Sequence, residues 1–122
     1  MKLGYFDTAE FESKDGAKSP FGETVVRKEL VHLLNRIREK WGKPIIVNCA
    51  YRSPKHNRAV GGVENSYHVQ GLAADIRPEN LEDLPELQDL CLDMVTDGGV
   101  GIYNTFVHVD ARGRRARWDN RS

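Results

Sequence analysis

Ser66-Tyr67-His68-Val69-Gln70-Gly71-Leu72-Ala73-Ala74-Asp75-Ile76-Arg77-Pro78 is the stretch whose reading orders the rest of the chain. Its first half is polar and ends a turn-rich segment. Its second half, Leu72 to Ile76, reads as a short strand that Arg77-Pro78 brings to an end. A carboxylate inside Leu-Ala-Ala-Asp-Ile should be largely buried, and a buried charge is costly unless it is paired or binds a metal. Asp75 is therefore the most informative residue in the sequence on physical grounds alone.

Upstream, Ile45-Ile46-Val47-Asn48-Cys49-Ala50 is a β-branched run that predicts a buried strand. Between it and Tyr67 the chain turns polar, with Arg52-Ser53-Pro54, Gly61-Gly62 and Glu64-Asn65-Ser66. An ordered loop of that length is uncommon unless it builds a site. A helix is predicted from about Glu23 to Trp41, where Leu30, Leu33, Leu34, Ile37 and Trp41 recur at helical spacing. Residues 1–21 read as an irregular arm.

Downstream, a second helix is predicted from about Leu81 to Thr96, with Leu84, Leu87, Leu90, Cys91 and Met94 inward and Gly98-Gly99 at its end. Two strands, Val100–Tyr103 and Phe106–Ala111, flank Asn104-Thr105, the length of a tight hairpin turn. The tail from Arg112 to Ser122 holds five arginines and reads as solvated. The sum is one α+β domain spanning residues 1–122, a small, mostly antiparallel sheet with two main helices.

Composition narrows the function classes. The 122 residues are 39% hydrophobic and 30% charged, a globular balance. Eighteen basic residues match eighteen acidic ones, so no net field favours nucleic acid or an anionic membrane. No apolar run approaches the roughly 20 residues of a membrane span. The N-terminus lacks a secretory pattern, which predicts a cytoplasmic location in the producing cell. Cys49 and Cys91 are too few for a disulfide framework and too far apart for a CxxC site, so both are expected as reduced thiols.

Of the four histidines, His32 lies mid-helix and His56 in the polar loop. His68 precedes Asp75 by seven positions, and His108 sits in the last predicted strand with Asp110 two residues on, on the same face. Two imidazoles and one carboxylate would leave a fourth position open, the arrangement of a catalytic zinc site. The competing reading pairs Asp75 with Arg52 or another arginine and leaves the histidines as ordinary core or surface groups.

The stretch from Ser66 to Asp75 resembles the SxHxxGxAxD signature of the M15 peptidases, the zinc D-Ala-D-Ala carboxypeptidase family. Tyr51-Arg52-Ser53-Pro54, His56-Asn57 and Val60-Gly61-Gly62 are similar to the segment before it there. Gly101-Ile102-Tyr103 with Phe106-Val107-His108-Val109-Asp110 resembles the closing histidine strand of compact phage-type and bacterial members. The likeness covers roughly residues 22–112 and implies a hedgehog/D-Ala-D-Ala-peptidase-like fold. It implies Zn2+ held by His68, Asp75 and His108, with Arg52 facing the metal to hold a substrate carboxylate or the developing oxyanion.

One departure matters. Many members place a glutamate three residues before the last zinc histidine, or a histidine two before it, as general base. Here Thr105 and Phe106 stand there, and neither accepts a proton at neutral pH. Asp110 is the nearest ionisable substitute. It would serve either as that base or as a brace for a ligand histidine. The resemblance implies a monomeric hydrolase of peptidoglycan stem peptides or muropeptides, of carboxypeptidase or endopeptidase type, such as a phage endolysin acting on the cell wall. Its rivals are a catalytically inactive zinc-containing wall-binding or phage tail module, and a plain scaffold without metal.

Overall fold

A computed structural model describes residues 1–122. In chain order the elements are β1 (Lys2–Leu3), β2 (Phe6–Asp7), α1 (Lys28–Trp41), β3 (Ile45–Cys49), α2 (Pro54–Ala59), β4 (Ala73–Pro78), α3 (Leu84–Met94), β5 (Gly99–Ile102), β6 (Val107–Asp110) and β7 (Ala116–Asp119). The fold is α+β, as the sequence predicts. No helix is long and apolar enough to cross a membrane.

The helical stripe of α1 buries Leu30, Leu33, Leu34 and Ile37, each such side chain contributing about 1.5–3 kcal/mol by leaving water. Gly42 ends the helix in the left-handed conformation, its N–H bonded to the Arg38 carbonyl. The helix starts at Lys28 rather than near Glu23. Residues Gly22–Thr24 form a separate 3-10 turn, and Val25 at φ 66° breaks the chain between them. Helix α3 is likewise shorter than predicted, because a 3-10 turn over Leu81–Asp83, capped by the Asn80 side chain, precedes it. Buried Gln88 reaches from α3 to the carbonyls of Tyr103 and Phe106, at 2.8 and 3.2 Å, and so anchors the β5–β6 connection.

Strands β3 to β7 form one sheet in the order β3-β4-β6-β5-β7, antiparallel except for the parallel β5–β7 pair. Alternation assigns its two faces. Ala74, Ile76, Val100, Ile102, Val107 and Val109 all point into the hydrophobic core. On the other face one register line reads Cys49–Asp75–His108–Gly101–Trp118, and the next reads Ala73–Asp110–Gly99–Ala116. The two glycines make room. A Cβ at Gly101 would collide with the Trp118 indole, and one at Gly99 with the Asp110 carboxylate.

Three regions differ from the sequence reading. The arm is not irregular throughout: β1 and β2 pair, Phe6 and Phe11 enter the core, and Ser13 and Asp15 bind Ser53. The polar loop holds a one-and-a-half-turn helix, α2, capped by Ser53. The basic tail is not simply solvated, since it supplies β7. Within it Arg117 Nη1 donates to the Gly98 carbonyl at 2.9 Å, and its Nη2 to the carbonyls of Leu92 and Val95 at the end of α3. The β5–β6 connection spans four residues, Tyr103 to Phe106, closed by a 3.2 Å bond from Tyr103 N to the Phe106 carbonyl.

Candidate metal centre

The polar face of the sheet opens into a cleft of about 620 Å³, with His68, Asp75 and His108 at its floor and Arg52, Tyr103 and Trp118 on its walls. Strand pairing sets Asp75 directly opposite His108. His68 arrives from the loop, where Ser66 Oγ accepts from the His68 backbone N–H at 3.1 Å. Gly71, at φ 70°, turns the chain from that loop toward β4.

Both imidazoles face one carboxylate oxygen. Asp75 Oδ1 lies 3.3 Å from His68 Nε2 and 3.0 Å from His108 Nδ1. The far nitrogens are occupied: His68 Nδ1 lies 2.8 Å from the Ala50 carbonyl, and His108 Nε2 lies 2.8 Å from Asp110 Oδ2. Those acceptors place a proton on each far nitrogen and leave the near ones with lone pairs toward Asp75. Without a metal, the cluster can share its hydrogen bonds only by taking up protons. Burial alone would lower the His68 pKa, yet the hydrogen bonds and charges of Asp75 and Cys49 together outweigh that and hold it well above the ordinary value. Burial would raise Asp75, but hydrogen bonds from His108 and His68 hold its carboxyl far below the usual range.

A divalent cation satisfies the same geometry without those protons, because two imidazole nitrogens and a carboxylate oxygen form a donor set that suits zinc. The thiol of Cys49 stands beside this group. Cys49, His68 and Asp75 each offer a ligand atom within 4.8 Å of the others, so they could hold a metal ion. The sequence reading missed Cys49. The signal was its strand, which pairs Cys49 with Asp75. Burial would raise the Cys49 thiol, but the hydrogen bond and charge of His68, with Arg52, bring it below its ordinary value. Both cysteines are free.

Asp110 is fully buried and surrounded by donors. Oδ1 accepts from Gly99 N at 2.9 Å, Arg112 N at 3.2 Å and Arg112 Nε at 2.8 Å. Oδ2 meets Arg112 Nη2 at 2.7 Å and His108 Nε2 at 2.8 Å. Burial would raise its pKa, but the Arg112 and His108 hydrogen bonds more than offset that and keep it ionised. Arg112 is itself clasped between the rings of Tyr67 and Trp118, at 4.3 and 5.3 Å. Neither Arg112 nor Trp118 stood out in the sequence, because an arginine-rich tail shows no apolar periodicity.

Arg52 does not pair with Asp75, so the ion-pair rival is not realised in the fold. Its backbone N–H donates to the His68 carbonyl at 3.2 Å, Nη1 to Asn57 Oδ1 at 2.9 Å, and Nη2 weakly to Cys49 Sγ at 3.6 Å. Its Nε is buried without a partner, and the partners of its Nη1 and Nη2 are an amide oxygen and a thiol, neither of them a carboxylate. Part of this permanent charge therefore remains available to a bound anion. His32 and His56 stay outside the cleft.

A family model described as Peptidase M15 matches residues 4–110 of the chain. No curated protein matches it.

Proposed function

This chain belongs to the peptidase M15 family, and from that premise we propose that it is a zinc-dependent hydrolase of peptide bonds in bacterial peptidoglycan. The observation that carries the reading is the convergence of His68 Nε2 and His108 Nδ1 on Asp75 Oδ1 at the floor of an open cleft. These three side chains would hold the ion. When bound, zinc supplies Lewis-acid polarisation of the scissile carbonyl and makes water more acidic.

The chain's own residues do the rest. The Ala50 carbonyl and Asp110 accept from His68 Nδ1 and His108 Nε2 and so fix the two rings, with His68 Nε2 and His108 Nδ1 turned toward the ion they would hold once the proton shared with Asp75 is displaced. We assign Asp110 the role of brace, not base. A carboxylate has about four lone-pair sites, and the donors around Asp110 already use them, so none is left to take a proton from the cleft. Arg52 orients the substrate by its carboxylate or steadies the charge that grows on the carbonyl oxygen. In the net reaction water adds to the carbonyl carbon, the C–N bond breaks, and the amine departs with a proton.

One observation favours the second reading, an inactive wall-binding module: Asp75 is the single carboxylate lining the cleft. The test is elemental analysis followed by digestion of defined muropeptides, read by mass spectrometry. About one zinc per chain and a cleaved stem peptide support the enzyme. Zinc without cleavage supports the module. Full zinc occupancy in His68→Ala refutes the ligand assignment.

A further inference from the structure

The cleft wall carries a hydroxyl whose hydrogen has no acceptor in the protein. Tyr103 Oη accepts from Trp118 Nε1 at 3.0 Å and from Asn120 Nδ2 at 3.4 Å. An indole N–H can only donate, and a phenol oxygen has two acceptor lone pairs and one proton to give. Both lone pairs are engaged, and the chain offers that proton nothing.

Nor can the side chain readily turn away. The Tyr103 ring stacks on Phe106 at 4.3 Å and 11°, and Gln88 holds its carbonyl at 2.8 Å. Trp118 is fixed in turn. Its ring lies 5.0 Å from that of His108, in the space that Gly101 leaves open. The Asn120 backbone N–H bonds the Ile102 carbonyl at 2.8 Å. Tyr103, Trp118, Asn120 and His108 all line the one cleft.

We propose that Tyr103 is a substrate-binding residue whose O–H donates to a backbone carbonyl oxygen of the bound peptide. Trp118 and Asn120 are positioning residues that leave the hydroxyl no role except donor. The inference rests on the peptidase reading and deepens it, since it selects substrates that present an amide carbonyl to this wall. A donor oriented before binding loses little freedom when the substrate displaces solvent from it. The positioning residues lie past residue 110, beyond the part matched by the family model.

The experiment compares the zinc-loaded protein with Tyr103→Phe, which keeps the ring on Phe106 and removes only the hydroxyl. On muropeptides kcat/KM should fall ~10²-fold, as for loss of one fixed donor, with zinc content unchanged. The Trp118 indole N–H resonance should shift, reporting the lost bond without reference to activity. Trp118→Phe should also lower kcat/KM, but should cost little more once Tyr103 is phenylalanine, because the two act as a unit. Unchanged kcat/KM in Tyr103→Phe, or independent additive losses, would overturn the proposal. If the unsubstituted protein cleaves no muropeptide, the peptidase reading fails, and calorimetric affinity for the same muropeptides decides this one. A loss of tenfold or more in Tyr103→Phe supports the donor, equal affinity overturns it, and no binding at all overturns both.

Discussion

Replacing Asp110 by asparagine exchanges one carboxylate oxygen for NH2 and removes one charge, at a point where five donor contacts meet a carboxylate with no exposed surface. An amide offers one oxygen there, and its NH2 must face groups that are themselves donors. Arg112, whose side chain is only 13% exposed, loses its charge partner. Removing one member of a buried ion pair costs about 3–5 kcal/mol. The lower figure applies here, because Arg112 keeps its contacts with Tyr67 and Trp118. At roughly 4 °C per kcal/mol for a domain of this size, the melting temperature of the metal-free protein should drop by about 12 °C. The second effect falls on His108, which no longer has an anionic acceptor for its Nε2 proton. Zinc affinity, measured by competition with a chromophoric chelator, should weaken roughly 10–100-fold. The refuting result is specific. An asparagine variant with normal melting and normal zinc affinity, yet with turnover reduced ~10²–10⁴-fold, would make Asp110 the base.

Arg52→Lys keeps the charge but loses the planar fork, so kcat/KM should fall ~10²-fold while zinc content holds; unchanged turnover would return Arg52 to a structural role. Metal binding must displace the proton that Asp75 holds on His68, whose pKa is raised, so zinc affinity should strengthen from pH 6 to pH 8 and titrations should release protons; a pH-independent affinity would contradict this. Asp15 is lowered from 3.8 to about 2, first by its hydrogen bond from Ser53 and then by Ser13. A depressed carboxylate stabilises above its unfolded value and loses that contribution as pH falls through the folded one. The stability gap between wild type and Asp15→Ala should therefore be constant above about pH 4 and close toward pH 2, as acid titrations followed by circular dichroism would show. Gly101→Ala places a methyl against the Trp118 indole, so it should cost about 1–3 kcal/mol and move the tryptophan emission; a neutral substitution would mean that Trp118 is not held there.

Much of the site was legible because it is built on alternation. In β4 and β6 the residues Ala74, Ile76, Val107 and Val109 take the core face, so Asp75, His108 and Asp110 had to share the other. The long polar loop announced a site without revealing its helix, since six residues are too few to show a helical period. The N-terminal arm hid its two core phenylalanines, Phe6 and Phe11, in a polar sequence. Strand β7, Ala-Arg-Trp-Asp, was illegible for a different reason. Its parallel pairing with β5 places Trp118 over Gly101, a non-local fit with no trace in local composition. The roles open to Asp110 could be narrowed only once Arg112, Gly99 and His108 were seen around it.

The register line Cys49–Asp75–His108–Gly101–Trp118 also makes the site a matter of parity. Side chains alternate with a period of two, so shifting β6 by one residue would turn His108 and Asp110 into the apolar core and push Val107 and Val109 into the cleft. The loops between the strands can lengthen or shorten by any number of residues without touching this relation. A single-residue insertion within β4, β5 or β6 cannot, unless a bulge absorbs it. Insertion scanning should therefore divide the chain sharply: tolerance for zinc binding in the connections outside the loop that carries His68, and loss inside those three strands that a second inserted residue restores.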